Sequence, residues 1–147
     1  MKFILSILAL VCLALSLNAQ TILELPTDFL TALHKQEASG RMNPPDGDDG
    51  HAIGPFQIWQ DYWKDAVQYD KNLKGTYQDC RKFEYAKRVV TAYMNRYAKE
   101  AIRKGDYEAL ARLHNGGPSW NKRPRSIAKT KIYWESFQKK LTMTAKL

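Results

Sequence analysis

Apolar residues recur at spacings of three and four along most of this chain, the pattern of helices that bury one face. Pro26 sits where a first-turn proline belongs, and Phe29, Leu30, Leu33 and Glu37 follow at helical spacing, which predicts a helix over 26–38. Trp59, Tyr62, Trp63 and Ala66 predict a second helix over 60–67 with aromatic rings along its face, followed by a polar, turn-like stretch over 69–77. The longest run, Phe83, Ala86, Val89, Val90, Tyr93, Met94, Tyr97 and Ile102, predicts a central helix from 79 to the stop at Gly105. Asp106 then caps a short helix over 107–113, which the run His114, Asn115, Gly116, Gly117, Pro118 ends. Past a basic turn over 122–125, Ile132, Tyr133, Trp134, Phe137 and Leu141 mark a last amphipathic helix.

The periodicity lapses between the first two helices. Ser39 and Gly40 stop the first, and Asn43, Pro44, Pro45, Asp46, Gly47, Asp48, Asp49 and Gly50 form a turn-rich loop that no helix accommodates. The residues from His51 to Ile58 read as a short strand pair that returns the loop across the molecule. The expected fold class is α+β, predominantly helical, with one small β-hairpin.

Composition narrows the setting. Met1 to Ala19 is a single lysine followed by an apolar run and a small residue, a secretory signal that leaves residues 20–147 as one secreted domain. No later stretch is apolar for long enough to span a bilayer, so stable membrane insertion is not expected. The formal charge of +8 falls by one with the loss of Lys2, and a basic secreted domain is drawn to anionic polymers such as bacterial walls or nucleic acid. No base-reading motif supports a specific nucleic-acid partner. Cys12 lies in the leader, which leaves Cys80 without an intramolecular partner; the fold must rest on its core, and Cys80 reads as a buried thiol with no base beside it.

The chemistry lies where the periodicity fails. Glu37 shares a face with Leu30 and Leu33 at the C-terminal end of its helix, and both partial burial and the negative helix end push a carboxyl upward. Asp46, Asp48 and Asp49 sit in a polar loop open to water. Cleavage of a glycosidic bond needs this division, one carboxyl protonated to donate and one ionised to attack or to shield the sugar cation. The D-G-D-D-G run also suggests a cation, but it lacks the twelfth-position ligand of an EF-hand, so no metal and no cofactor are assigned. Trp59 and Tyr62 suit either sugar stacking or core filling. His34 is read as structural.

The residues from Glu37 through GPFQIWQDYWKDA at 54–66, with YMNRYAKEAI at 93–102 and ARLHNGGP at 111–118, resemble the invertebrate-type (destabilase) lysozymes over most of the mature chain. The resemblance implies a lysozyme-like fold, secretion, no cofactor, and hydrolysis of the β-1,4 bond after N-acetylmuramic acid in bacterial peptidoglycan; the domain is expected to act as a monomer. It implies Glu37 as general acid and Asp48 as the second carboxylate, with Asp49 and then Asp46 as competitors. It also implies a substrate-binding set of Gln57, Trp59, Tyr62, His114, Asn115 and Gly116. This chain departs from the family's usual richness in disulfides, and Trp59 stands where a lysine often follows FQI, so an isopeptidase activity is not carried over. The alternative of another class is a cationic wall-binding protein without catalysis.

Overall fold

The computed structural model describes residues 21–144; the proposed signal at 1–19, Cys12 and the extreme C-terminus lie outside the described residues. Among the described residues five α-helices surround one core: α1 (Thr27–Ala38), α2 (Gln60–Tyr69), α3 (Phe83–Lys104), α4 (Tyr107–Gly116) and α5 (Pro124–Thr144). The hairpin consists of β1 (Ala52–Ile53) and β2 (Ile58–Trp59), antiparallel with Ala52 opposite Trp59 and Ile53 opposite Ile58. The α1 helix packs on α5, α2 on α3, and α4 on both α3 and α5. Among the described residues no helix is long and apolar enough to cross a membrane.

The predicted apolar stripes point where the periodicity places them. Phe29 and Leu33 of α1, Val89, Val90 and Met94 of α3, Leu110 of α4 and Phe137 of α5 are all fully buried. Phe56 and Ile58 of the hairpin join the same core. Removing one such ring, as in Phe137→Ala, costs about 3–5 kcal/mol in buried sites of this kind. Asn95 is buried among these groups because it ties down the N-terminal segment. Its Oδ1 accepts from the Leu23 N–H at 2.8 Å, and its Nδ2 donates to the Leu23 and Thr91 carbonyls. Cys80 is buried and unpaired, and burial pushes its thiol up to about 12. His34 packs edge-on against Phe83 and bonds the Arg41 carbonyl, a structural place.

Three boundaries differ from expectation. The third helix begins at Phe83 rather than at 79 because Thr76 and Asp79 form a capping box around a separate 3-10 turn, Tyr77–Arg81, and Lys82 is extended at φ −84, ψ 123. The fourth does not stop at 113 but runs through His114 and Asn115 to Gly116, ending only at Gly117 with φ 70. Gly116 stays helical because the helices meet there: a Cβ on it would lie 2.5 Å from Thr130 Cγ2. The fifth begins at Pro124, inside the expected turn. Proline preset in the first turn starts the helix there despite the cations around it, which a helix N-terminus disfavours.

Candidate active site

Glu37 occupies the last turn of α1, one turn beyond the fully buried Leu33. The helix ends immediately after it, because Ser39 turns left-handed at φ 52, ψ 30. From α5 the Tyr133 hydroxyl donates a hydrogen bond to Glu37 Oε1. The Glu37 side chain is 16% exposed. Burial pushes its carboxyl from the ordinary 4.5 up to about 7; the negative charge of Asp48 adds to the rise, and the Tyr133 hydrogen bond opposes it.

Behind Glu37 lies His114, whose Nε2 is 3.9 Å from Glu37 Oε1. The same nitrogen is 3.1 Å from the Phe56 carbonyl oxygen, and Nδ1 is 3.2 Å from the Tyr62 hydroxyl. A carbonyl only accepts, so the pattern assigns the ring proton to Nε2 and makes Tyr62 the donor to Nδ1. Burial lowers the imidazole from 6.5 to about 4, so at neutral pH the ring is uncharged and its approach to Glu37 is not an ion pair. Tyr62 is itself buried and stacks on Tyr93, centroids 3.5 Å apart.

The opposite wall is the loop. Gly47 pairs with Ala52 through two backbone hydrogen bonds of 2.9 and 3.1 Å, which extends the hairpin by one bridge. Asp48 and Asp49 then take left-handed backbones at φ 48 and φ 55 in a single 3-10 turn. Few non-glycine residues adopt that region, and aspartate is among those that tolerate it. Trp59 Nε1 donates to Asp48 Oδ2 at 3.2 Å, holding the carboxylate toward β2. Gln57 braces the loop from below: its Nε2 donates to the Gly54 and Pro45 carbonyls at 3.0 and 3.3 Å. Gly47 leaves room for that side chain, since a Cβ there would meet Gln57 Oε1 at 2.3 Å. Asp46 faces elsewhere, gripped by the Arg81 guanidinium, whose hydrogen bonds hold its carboxyl below the usual range.

Between the walls is a cleft of about 320 Å³. Glu37, His114 and Asn115 line its helical side, Gly47, Asp48, Gln57 and Trp59 the loop side, and Lys129 of α5 reaches it as well. Trp59 is 48% exposed and stacks on His51, presenting an open indole at the rim. Asn115 Oδ1 is buried with no hydrogen-bond partner. Six of the residues named from sequence thus meet in one place, with Asp48 rather than Asp49 or Asp46 on the lining. Tyr62 and Gly116 do not reach it. Tyr62 lies beneath the floor supporting His114, and Gly116 is occupied by its contact with α5. Among the described residues no cluster of three or more His, Cys, Asp or Glu could hold a metal ion.

Sequence reasoning missed Lys129 and the grip of Arg81 on Asp46, and it noted Tyr133 only as one of the residues marking the last helix. Tyr133 is separated from Glu37 by 96 positions, and nothing local announces the contact. The available signal was a polar-tipped aromatic on the inner face of the last helix, where a phenol needs a partner.

The Destabilase family model matches residues 28–140 of this chain. A lysozyme of Ostrea edulis is 31% identical over 132 residues, covering 88% of this chain and 89% of that protein. A lysozyme of Magallana gigas is 33% identical over 85 residues, 58% of this chain but only 57% of its own length. The crystal structure of Tapes japonica lysozyme superposes with a TM-score of 0.58 at 30% identity, covering 78% of this chain and 89% of that one.

Proposed function

The chain belongs to the destabilase family, the invertebrate-type lysozymes, and on that premise we propose that it is a secreted muramidase cutting the β-1,4 bond after N-acetylmuramic acid in bacterial peptidoglycan. The observation that carries this reading is the asymmetry of the two carboxyls sharing one cleft: Glu37 is raised by burial to about 7, while Asp48 lies exposed on the facing loop. A cleft of about 320 Å³ suits part of a glycan strand, at the lower end of ligand sites, which run from about 300 to 1,000 Å³.

In the reaction, Glu37 enters protonated and donates to the glycosidic oxygen as the bond to the anomeric carbon breaks. Asp48 attacks that carbon or shields its positive charge, and ionised Glu37 then takes a proton from the incoming water. Tyr133 orients the Glu37 carboxyl throughout. Neutral His114 keeps positive charge away from it; an imidazolium there would hold the acid ionised and useless as a donor. Asn115 Oδ1, lacking a partner, accepts the acetamido N–H of a sugar, and the Trp59 indole gives a sugar ring a face to lie on. Carboxyls about 5 Å apart would retain configuration at the anomeric carbon, and a wider gap of about 6.5–9.5 Å would invert it. The positive charge of the chain favours encounter with an anionic wall and makes turnover fall with salt.

The deciding experiment is clearance of a bacterial wall suspension by the wild type and Glu37→Gln. The amide keeps the shape and can still accept from Tyr133, but it has no proton to give. Loss of clearance on the order of 1,000-fold is expected; undiminished clearance would mean that the protein acts on walls by binding alone.

A further inference from the structure

Lys129 is the one charged cation lining the cleft among the described residues, since His114 is neutral there. It projects from α5 one turn before Tyr133, so the same helix face that holds the acid also brings an ammonium group beside it. Two residues on, Lys131 lies 3.9 Å from Glu135, yet Lys129 forms no such ion pair among the described residues, although Glu37 and Asp48 border the same space. Nor does it hold the acid down: the influences on Glu37 are burial, Tyr133 and Asp48. The charge is left available to whatever enters the cleft.

The substrate explains why a cation would stand there. The two alternating sugars of peptidoglycan share an N-acetyl group, so the Asn115 acceptor cannot tell a muramyl strand from chitin. They differ at the 3-O-lactyl substituent, which carries a carboxylate either directly or through its peptide stem. Resting on the muramidase reading, we infer that Lys129 is a specificity residue that receives this carboxylate and so favours muramyl-containing glycans over neutral ones. Lys129 is exposed in the free protein, so the charge-assisted contact gains its strength only where the bound glycan excludes water from the pair, and it is read at low ionic strength.

The test compares kcat/KM of the wild type, Lys129→Gln and Lys129→Arg at low ionic strength on three substrates: peptide-bearing peptidoglycan, peptide-free muramyl glycan and a chito-oligosaccharide. In Lys129→Gln the preference for muramyl substrates over the chito-oligosaccharide should fall about tenfold or more, while Lys129→Arg keeps most of it. A fall on both muramyl substrates assigns the contact to the lactyl carboxylate, and a fall confined to the peptide-bearing one assigns it to the stem. An unchanged preference, an equal loss on all three substrates, or the same loss in Lys129→Arg would overturn the inference. A wild type that cuts none of them would instead overturn the muramidase reading itself.

Discussion

Glu37 enters the cleft from a wall of packed helices, whereas Asp48 enters it from a loop with little core beneath it, and the two carboxyls differ accordingly. On the helical side Tyr133 and His114 close on the acid and burial removes it from water, which is what raises its proton affinity. On the loop side the backbone itself does the placing. Left-handed Asp48 and Asp49, the Gly47–Ala52 bridge and the Gln57 brace fix the direction of a carboxylate that stays exposed. Burial makes an acid and backbone geometry aims an ionised carboxylate; neither wall could supply the other's group without being rebuilt.

The largest test of that contrast replaces each aspartate in turn. Asp48→Asn keeps an oxygen for Trp59 Nε1 but removes the charge, and glycan hydrolysis should fall on the order of 100- to 1,000-fold. Asp49→Asn should change it no more than a few-fold, because Asp49 does not line the cleft. Equal losses would mean that the loop's direction, and not one carboxylate, matters.

The second test asks what burial of Glu37 does to stability. Its folded-state value of about 7 lies above the ordinary 4.5, so between those values the folded chain holds a proton that the unfolded chain has released, and stability falls as pH rises. Above pH 7 the full effect is about 3 kcal/mol. Glu37→Gln has nothing to titrate there, so at pH 8 it should melt roughly 10 °C above the wild type. Below pH 4.5 both forms are neutral and the gap should close. His114 works the other way, its stabilisation being lost as pH falls from 6.5 towards 4, but it is present in both proteins and cancels in the difference. A melting gap independent of pH would show that the gain comes from packing and not from the carboxyl.

The two walls were not equally legible in the sequence. Periodicity placed Glu37 correctly because a helix repeats: Leu30, Leu33 and Glu37 declare a shared face within eight positions. The turn residues announced the loop and the hairpin, and the resemblance singled out Asp48 among three aspartates. What stayed hidden was contact across distance. Tyr133 and Lys129 come from a helix far along the chain, and Tyr62 looked like a cleft aromatic until its stacking on Tyr93 put it below the floor. The end of α4 was misjudged for a related reason. Two glycines normally stop a helix, but Gly116 serves the packing of α4 against α5, so His114 and Asn115 are aimed from a rigid turn of helix.

The third test separates position from burial on the helical wall. Tyr133→Phe keeps the ring but removes the hydroxyl that favours ionised Glu37, so the acid's proton affinity should rise further and the alkaline limb of the pH–rate profile should move to higher pH. The maximal rate should fall about tenfold as the carboxyl loses its orientation. A limb that moves to lower pH would reverse the sign assigned to this hydrogen bond.

The smallest effect belongs to the outer support of the loop. Arg81 grips Asp46 from the 3-10 turn Tyr77–Arg81, and the Cys80 carbonyl of that turn lies so near Gly54 that a Cβ there would come within 2.0 Å of it. The hairpin is thus fixed against the turn by close packing, while the loop ahead of it is fixed by an exposed ion pair. Exposed pairs contribute little and are screened by salt, so Arg81→Gln should leave the melting temperature nearly unchanged. Its effect should appear in KM, raised about two- to threefold as the Asp48 turn samples more orientations, with kcat nearly constant. In the wild type, salt should produce part of the same rise, and in Arg81→Gln that part should be missing. If kcat fell instead, the Asp46–Arg81 pair would be positioning Asp48 for the chemical step itself, and the loop wall would depend on charge as much as on backbone geometry.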